Sequence, residues 1–246
     1  RRWTLALVRR SSRAVICNSR AVGDKFEPLL HGVKPRIVYN GFEFDNLTAE
    51  TPRDKYQRCV INSAPRIGLL IIGAVCEHKG QETAIRAVSA AVTEGANVEL
   101  YVVGADYGML PRLMKVARET GADGRVFFSG LVNDPSDFYR RAAVTLICSR
   151  AEAFGRVAVE SMAQGTPVIA ADAGGLPEIV RDEVTGLLFE PGDARGLASK
   201  LTTLLGDGEK YEALAEAGKQ SVVERFGMER YVGECRAVID EAVGRR

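Results

Sequence analysis

The chain has 246 residues, 46% hydrophobic and 26% charged, and this composition excludes a disordered, collagen-like or fibrous protein. Its 33 Lys and Arg against 32 Asp and Glu leave a net charge of +1, so no global positive field favours nucleic acid as a partner. The 5 cysteines are widely separated, and Cys17, Cys76 and Cys148 lie in or beside apolar runs that predict burial. They indicate neither a disulfide framework nor a zinc site, and we expect a reducing, cytoplasmic setting. No apolar stretch reaches the roughly 18 residues needed to cross a bilayer.

The first 63 residues combine short elements with a polar stretch. Residues 1–13 predict a basic helix, which either packs on neighbouring protein or lies on a membrane surface, and its few, scattered apolar positions favour the packed alternative. A strand at 14–18, a helix at 22–30 and a strand at 36–39 follow. Two strands cannot close a core, so we expect the end of a domain whose beginning is absent. Asn40-Gly41 then signals a turn, and the polar stretch 45–63 predicts a linker.

From residue 67 onward, short apolar runs alternate with amphipathic helical segments, which is typical of parallel βαβ units. Strands are predicted at 67–75, 99–104, 125–130, 144–149, 167–172 and 186–190. Helices are predicted at 80–93, 109–120, 136–142, 157–164 and 176–181, and a helical tail at 194–205, 210–225 and 229–243. The pattern predicts an α/β fold with a doubly wound, Rossmann-like parallel sheet. Such sheets bind ligands at the carboxyl ends of their strands.

Two carboxylates, Glu152 and Glu160, follow the predicted strand 144–149. Glu152 falls in the loop after the strand, and Glu160 about one turn inside the next helix. That helix begins within Phe154-Gly155-Arg156-Val157, whose free N–H groups favour an anion such as phosphate, with Gly155 letting a ligand approach the backbone. A carboxylate further along suits ribose hydroxyls. The alternative, two solvated glutamates, is disfavoured because the rest of the helix is nearly all apolar.

A second candidate phosphate site lies around Gly73 and Lys79, at the end of the first sheet strand. Glycines there permit close approach to the backbone, and Lys79 is placed to pair with phosphate. The segment is neither Gly-x-Gly-x-x-Gly nor a Walker A loop, because Val75 replaces the second glycine and no Ser or Thr follows Lys79-Gly80. A dinucleotide oxidoreductase and a P-loop NTPase are therefore disfavoured. A turn with a solvated lysine remains the alternative.

Three further features carry weaker signals. Gly174-Gly175, before a predicted helix, forms either a nest of backbone donors or a tight turn without a ligand. His31 and His78 stand near no Ser or Cys nucleophile at a recognisable spacing, and we expect both at the surface. No His, Cys and Asp cluster has metal-ligand spacing, so no metal is predicted.

Together these segments resemble the retaining glycosyltransferases of family 4, which have two Rossmann-like domains (the GT-B architecture), carry a Glu-x7-Glu motif and use nucleotide-sugar donors. The resemblance runs from about residue 14 to residue 226. Its most specific part is the stretch 149–180, within AAVTLICSRAEAFGRVAVESMAQGTPVIAADAGGLPEIV at 142–180. RAVICNS, RIVYNG, IIGAVCEHKGQETAIRA, ELYVVG, RVFFSGLV and TGLLFEPGD occur in the family's order around it.

The resemblance implies a role for each matched residue. Glu152 would contact the transferred sugar and its developing positive charge, and Glu160 would bind the ribose hydroxyls. The backbone of Phe154 to Val157 would hold the diphosphate, and Lys79 would neutralise the diphosphate as it leaves. Val132 lies where the family's backbone contacts the base. The leaving diphosphate is the expected base for the acceptor hydroxyl, so the resemblance implies no side-chain nucleophile and no cofactor besides the donor substrate, a UDP- or GDP-sugar.

One position departs from the family. An arginine usually follows the glycine that corresponds to Gly73, and Ala74 stands there in this chain. Half of the expected cationic clamp is then absent. We hypothesise that Arg156, at the start of the phosphate-binding helix, supplies the second positive charge.

The resemblance also implies a domain organisation. Residues 1–44 would end an N-terminal acceptor-side domain and include the hinge, 45–65 would be a linker, 66–226 the donor-binding domain, and 227–246 a helix that crosses back. A glycan, lipid-linked or small-molecule acceptor would bind the absent domain, and polysaccharide biosynthesis, with peripheral contact at the inner face of the membrane, stays open. The chief alternative is a non-catalytic nucleotide-sugar-binding subunit or degenerate homologue, which Ala74 favours and the carboxylates and Lys79 disfavour. A sugar-nucleotide epimerase is weaker still, because such enzymes are not expected to carry this glutamate pair.

Overall fold

The computed structural model describes residues 12–30, 32–45, 47–63 and 65–244. In chain order the strands are β1 (Ile16–Cys17), β2 (Arg36–Ile37), β3 (Ile67–Ile72), β4 (Val98–Val103), β5 (Val126–Gly130), β6 (Val144–Ile147), β7 (Val168–Ala171) and β8 (Leu187–Phe189). The α-helices are α1 (Arg20–Phe26), α2 (Pro52–Tyr56), α3 (Gln81–Thr93), α4 (Leu110–Glu119), α5 (Ser136–Arg141), α6 (Arg156–Ala163), α7 (Leu176–Ile179), α8 (Ala194–Gly206), α9 (Gly208–Phe226) and α10 (Met228–Val243). The basic helix predicted at 1–13 falls almost wholly outside the described residues, as does His31.

The central sheet has six parallel strands in the order β5-β4-β3-β6-β7-β8. From β3 the chain moves outward through β4 to β5 and then returns to the other side of β3 as β6. The carboxyl ends of β3 and β6 therefore diverge into a crevice at the point where the strand order reverses. The predicted doubly wound α/β fold is confirmed.

Both faces of this sheet are buried. On β7, Ile169 and Ala171 join the core beneath α3, α4 and α8, whereas Val168 and Ala170 join a second core with α6, α7 and α9. Successive side chains point to opposite faces, so a strand covered on both sides is apolar throughout. Cys59, rather than the predicted Cys76, is buried along with Cys17 and Cys148.

The strands predicted at 67–75 and 144–149 end earlier, at Ile72 and Ile147. The chain leaves β3 at Gly73, whose φ of +136° lies in the region that favours glycine. Val75 and Cys148 are still buried, under the loops. Their apolar character reflects burial at the sheet edge and not strand structure.

The segment before the six-stranded sheet contains a small sheet of its own. β1 and β2 pair in parallel, Ile16 with Arg36 and Cys17 with Ile37. Helix α10 returns to this segment: Arg230 donates to the Tyr39 carbonyl at 2.7 Å, and Arg36 pairs with Glu241 at 2.5 Å. These contacts fasten α10 to β2 and the residues just after it.

The stretch 45–63, predicted to be a linker, contains α2 and a π-helical turn at Gln57–Ile61 that follows it directly. The Tyr56 ring centroid lies 5.0 Å from that of Tyr211, and the Tyr56 hydroxyl donates to the Leu205 carbonyl at 2.9 Å. The linker prediction was wrong because most residues in this stretch are polar, although one side of the helix is buried against α9.

Lys55 is the most deeply buried charged residue of this helix, with 1% of its surface exposed. Its ammonium donates to the carbonyls of Tyr139, Arg140 and Gln164, at 3.2, 3.0 and 3.5 Å. These carbonyls lie at the ends of α5 and α6, where helical carbonyls lack partners and the dipole favours a cation. Lys55 thus joins the carboxyl-terminal ends of α5 and α6.

We expect Lys55→Met to lower the free energy of unfolding by about 1–3 kcal/mol, because buried carbonyls lose a charged donor. Burial lowers the pKa of Lys55 from 10.5 to about 8. Between those values the unfolded chain binds more protons than the folded chain, so Lys55 contributes a rise in stability with pH. When unfolding by denaturant is measured from neutral pH to pH 10.5, the difference in free energy of unfolding between wild type and variant should increase. Lys115→Met, at an exposed lysine of α4, is the control.

A variant as stable as the wild type would contradict this account of Lys55. A difference in free energy of unfolding that stays constant from neutral pH to pH 10.5 would contradict it as well.

Candidate functional site

A cavity of about 410 Å³ opens where β3 and β6 diverge. All of the residues predicted for the donor site line it except Val132: Gly73, Lys79, Glu152, Phe154, Gly155, Arg156, Val157 and Glu160. Val132 instead packs against a small apolar cluster that contains Tyr139, and Val157 packs against the same cluster. The structure therefore brings together two loops that are distant in sequence. Lys79 and Glu152, one from each loop, are 73 residues apart.

Lys79 and Glu152 form the central pair of the cavity. The Lys79 ammonium donates to Glu152 Oε2 at 2.6 Å, and the two side chains are 23% and 18% exposed. The Ser149 hydroxyl donates to the same carboxylate oxygen at 3.2 Å. A cation and a carboxylate therefore face the cavity side by side, each positioned by the other.

The turn that carries Lys79 is pressed against the end of β6. Gly80 has a φ of +68°, and a Cβ there would lie 2.1 Å from the Cys148 carbonyl oxygen. Only glycine fits this contact, which places Lys79 beside the loop after β6. The Gln81 side-chain amide donates to the Ala74 carbonyl at 2.8 Å and fastens the loop after β3.

Helix α6 begins at the cavity with no side-chain cap on its first turn. The N–H groups of such a turn attract anions. Its N-cap, Gly155, has a φ of +112°, and a Cβ there would lie 2.9 Å from Leu176. An added Cβ would meet α7, so the backbone conformation and this packing both require glycine. That Gly155 also lets a ligand approach the backbone stays a prediction.

Glu160 lies further along α6 with its carboxylate held from two sides. Tyr139 donates its hydroxyl to Oε2 at 2.9 Å, and Arg156 donates to Oε1 at 3.0 Å. Burial, reinforced by the Glu160 charge, raises the pKa of Tyr139, so its hydroxyl stays protonated and donates. Glu160 keeps lone pairs for hydroxyl donors of a ligand.

Arg156 is 64% exposed and is bound to Glu160 rather than to Glu152. Its guanidinium lies 5.0 Å from the centroid of the Phe42 ring. The hypothesis that Arg156 completes the cationic clamp therefore requires it to exchange Glu160 for the diphosphate of a donor.

Gly174 and Gly175 support the Glu152 loop from behind. Gly175 donates its N–H to the Glu152 carbonyl at 2.9 Å, and a Cβ on Gly174 would lie 2.1 Å from that oxygen. The sequence left open a nest of backbone donors or a tight turn at this pair. The structure shows a tight turn packed against the Glu152 backbone.

Sequence reasoning missed several cavity residues, among them Asn18, Asn40, Gln81 and Ser149. It also missed Tyr139, which reaches Glu160 from another helix and carries no local signal. His78 is exposed, as expected. Within the described ranges, no group of three or more His, Cys, Asp or Glu is arranged to hold a metal ion, and no helix is long and apolar enough to span a membrane.

Comparison with known proteins gives consistent matches. The family model "Glycosyl transferases group 1" matches residues 60–221. The lipopolysaccharide core biosynthesis glycosyltransferase LpsE of Rhizobium meliloti is 29% identical over 226 residues, covering 89% of this chain and 62% of LpsE. A D-inositol 3-phosphate glycosyltransferase of Xylanimonas cellulosilytica is 32% identical over 254 residues, covering 96% of this chain and 58% of that protein.

A solved structure agrees with these sequence matches. The crystal structure of Anabaena HepE with UDP and glucose matches with a TM-score of 0.84 and 26% identity, over 99% of this chain and 66% of HepE. HepE has also been crystallised with UDP-glucose. This chain spans less than two thirds of the length of each of these relatives.

Proposed function

Because the chain belongs to the family of group 1 glycosyl transferases, we propose that its crevice is the donor site of a retaining enzyme of family 4. The reaction transfers a sugar from a nucleotide-diphosphate sugar to an acceptor hydroxyl. The observation that carries the proposal is the contact of Lys79 with Glu152 at 2.6 Å, beside the uncapped start of α6. A cation, a carboxylate and a helix N-terminus at one strand edge fit a diphosphate joined to a sugar.

Donor binding separates this ion pair. The diphosphate takes the Lys79 ammonium and the first N–H groups of α6, where they oppose the charge that grows as the glycosidic C–O bond breaks. Glu152, relieved of its cation, faces the positive charge that develops on the sugar. The acceptor oxygen bonds to the anomeric carbon on the face that the diphosphate leaves, and a diphosphate oxygen takes the acceptor proton.

The nucleoside lies towards Glu160. Its ribose hydroxyls donate to the carboxylate, which Tyr139 still orients when Arg156 exchanges Glu160 for the diphosphate. We place the base near Val132 by the family resemblance. HepE, which was crystallised with UDP and UDP-glucose, supports a uridine donor, and a GDP-sugar is the other candidate.

Residues 1–44 would then end the acceptor-side domain, and residues 227–246 would cross back to it. The lipopolysaccharide core role of LpsE supports a glycan or lipid-linked acceptor, and a small-molecule hydroxyl is the third class. We expect the reaction to need no metal ion, so turnover should persist in a chelating buffer.

Calorimetric titration with UDP, GDP, ADP and their sugar conjugates tests the donor site, and one nucleotide should bind best. The anomeric proton signal of the product tests retention: the first product formed should have the configuration of the donor. Binding of no nucleotide, or a product of inverted configuration, would contradict the proposal.

A second function deserves the same test because Ala74 replaces an arginine of the family. A non-catalytic nucleotide-sugar-binding subunit would bind the donor and release no nucleoside diphosphate with any acceptor. Turnover in the presence of acceptor rejects this alternative.

A further inference from the structure

The cavity has a second wall that the donor-binding residues do not supply. Asn18, directly after β1, and Asn40, shortly after β2, line it together with Glu152. Both asparagines are half-buried. Neither side-chain amide has a hydrogen-bond partner within the described stretches of the chain. Two amides that no described residue satisfies therefore line a cavity whose other polar side chains are mostly paired.

The residues next to these asparagines are fastened to the donor side. Ser19, fully buried, donates its hydroxyl to the Ala153 carbonyl, one residue after Glu152, and accepts the Val22 N–H at 3.1 Å. Asn18 is thus held at a fixed position relative to the Glu152 loop.

A single carboxylate, that of Glu178 in α7, binds both of the segments that contain these asparagines. It accepts the main-chain N–H groups of Arg20 and Ala21, each at 2.9 Å, and the Tyr39 hydroxyl at 2.8 Å. Arg20 lies two residues after Asn18, and Tyr39 lies immediately before Asn40. Charge-assisted bonds of this kind are stronger than neutral ones, so Glu178 sets where both amides stand.

The chemistry of the wall matches a polyol. A side-chain amide offers two donors and an acceptor, whereas a carboxylate only accepts. Sugar hydroxyls both donate and accept, so they need the two kinds of partner together. Lys79 and the start of α6 offer positive charge to the phosphates, which leaves the Glu152 carboxylate and the two amides for the sugar.

Resting on the proposed function, we propose that Asn18 and Asn40 hydrogen-bond the hydroxyls of the transferred sugar, and that Glu178 is a positioning residue for them. Sugar specificity would then be set in part by the segment before the donor domain. The diphosphate and ribose contacts would not depend on it.

Titration of the chain with UDP and UDP-glucose, GDP and GDP-mannose, and ADP and ADP-glucose tests this division. For the best-binding pair, Asn18→Ala and Asn40→Ala should each weaken nucleotide-sugar binding about fivefold to tenfold while leaving nucleotide binding within about twofold, as expected for one lost hydrogen bond. Glu178→Gln should also weaken nucleotide-sugar binding relative to nucleotide binding, but by a smaller factor than either asparagine variant. Asn62→Ala, at an exposed asparagine, and Glu224→Gln, an exposed carboxylate of α9, should change neither affinity.

The binding data distinguish failure of the sugar-contact inference from failure of the proposed donor site. Equal losses for nucleotide and nucleotide sugar would show a merely structural role, and an unchanged ratio would show that the amides do not touch the sugar; either result overturns this inference alone. A wild-type chain that binds none of the nucleotides overturns the proposed function together with it. Melting temperatures near that of the wild type confirm that the variants are folded.

Discussion

Replacing Lys79 with alanine is expected to lower kcat for nucleoside diphosphate release by about 10²- to 10³-fold, the usual cost of removing one group that stabilises transition-state charge. The lysine is one of only two side chains in the cavity that carry a positive charge among those the structure describes, the other being Arg156. Its effect should fall on kcat more than on KM, because the charge on the diphosphate grows as the bond to the sugar breaks.

Lys115→Ala, at an exposed lysine of α4, is the matched control and should leave turnover unchanged. Turnover of Lys79→Ala within about threefold of the wild type would exclude the charge-stabilising role, since that role predicts far larger losses. The same assay tests the clamp hypothesis: Arg156→Ala should cost as much turnover as Lys79→Ala. Near-normal turnover would show that Arg156 stays with Glu160.

Glu160→Ala is expected to weaken binding of the nucleotide by roughly 1.5–3 kcal/mol, the worth of a hydrogen bond to a charged group. The loss should be equal for UDP and UDP-glucose, or for the corresponding pair of the preferred base, because both ligands contain the ribose. This pattern is the reverse of that expected for Asn18→Ala.

A ligand lacking one ribose hydroxyl completes the test as a double-mutant cycle. The wild type should bind 2′-deoxy or 3′-deoxy nucleotide less tightly than the parent nucleotide, and Glu160→Ala should no longer distinguish them. If the variant distinguishes them as well as the wild type does, Glu160 does not bind the ribose. Tyr139→Phe, which removes the hydroxyl that donates to Glu160, should give a smaller loss in the same direction.

Much of the sheet was predictable because its strands are short apolar runs separated by amphipathic helices. The helices predicted at 80–93 and 157–164 begin within one residue of α3 and α6, where glycines mark their starts. Lys79 and Glu152 were placed near each other by a general property of parallel sheets, whose strand ends share one edge. Their direct contact needed the structure, because it depends on the Gly80 turn pressing against Cys148.

The remaining residues carried no readable signal. Tyr139 is 21 positions from Glu160 and appears in the sequence as one more apolar side chain of a short helix. Lys55 has the composition of a solvated residue, and only the convergence of two helix ends makes its burial favourable. Asn18 and Asn40 follow short strands in a segment that Glu178 holds at the cavity. Glu178 is far from them along the chain, and its partner Tyr39 is 139 residues away.

The buried face of α2 has a consequence for the limits of the cooperative folding unit. The family match begins at residue 60, and the donor domain was predicted to begin at residue 66. A chain cut at either point would lose Lys55 and Tyr56 but keep the carbonyls that they satisfy, at the ends of α5, α6 and α8. The smallest piece that folds by itself should therefore start before Thr51, which caps α2. The region that defines the family by homology is shorter than the region that must fold with it.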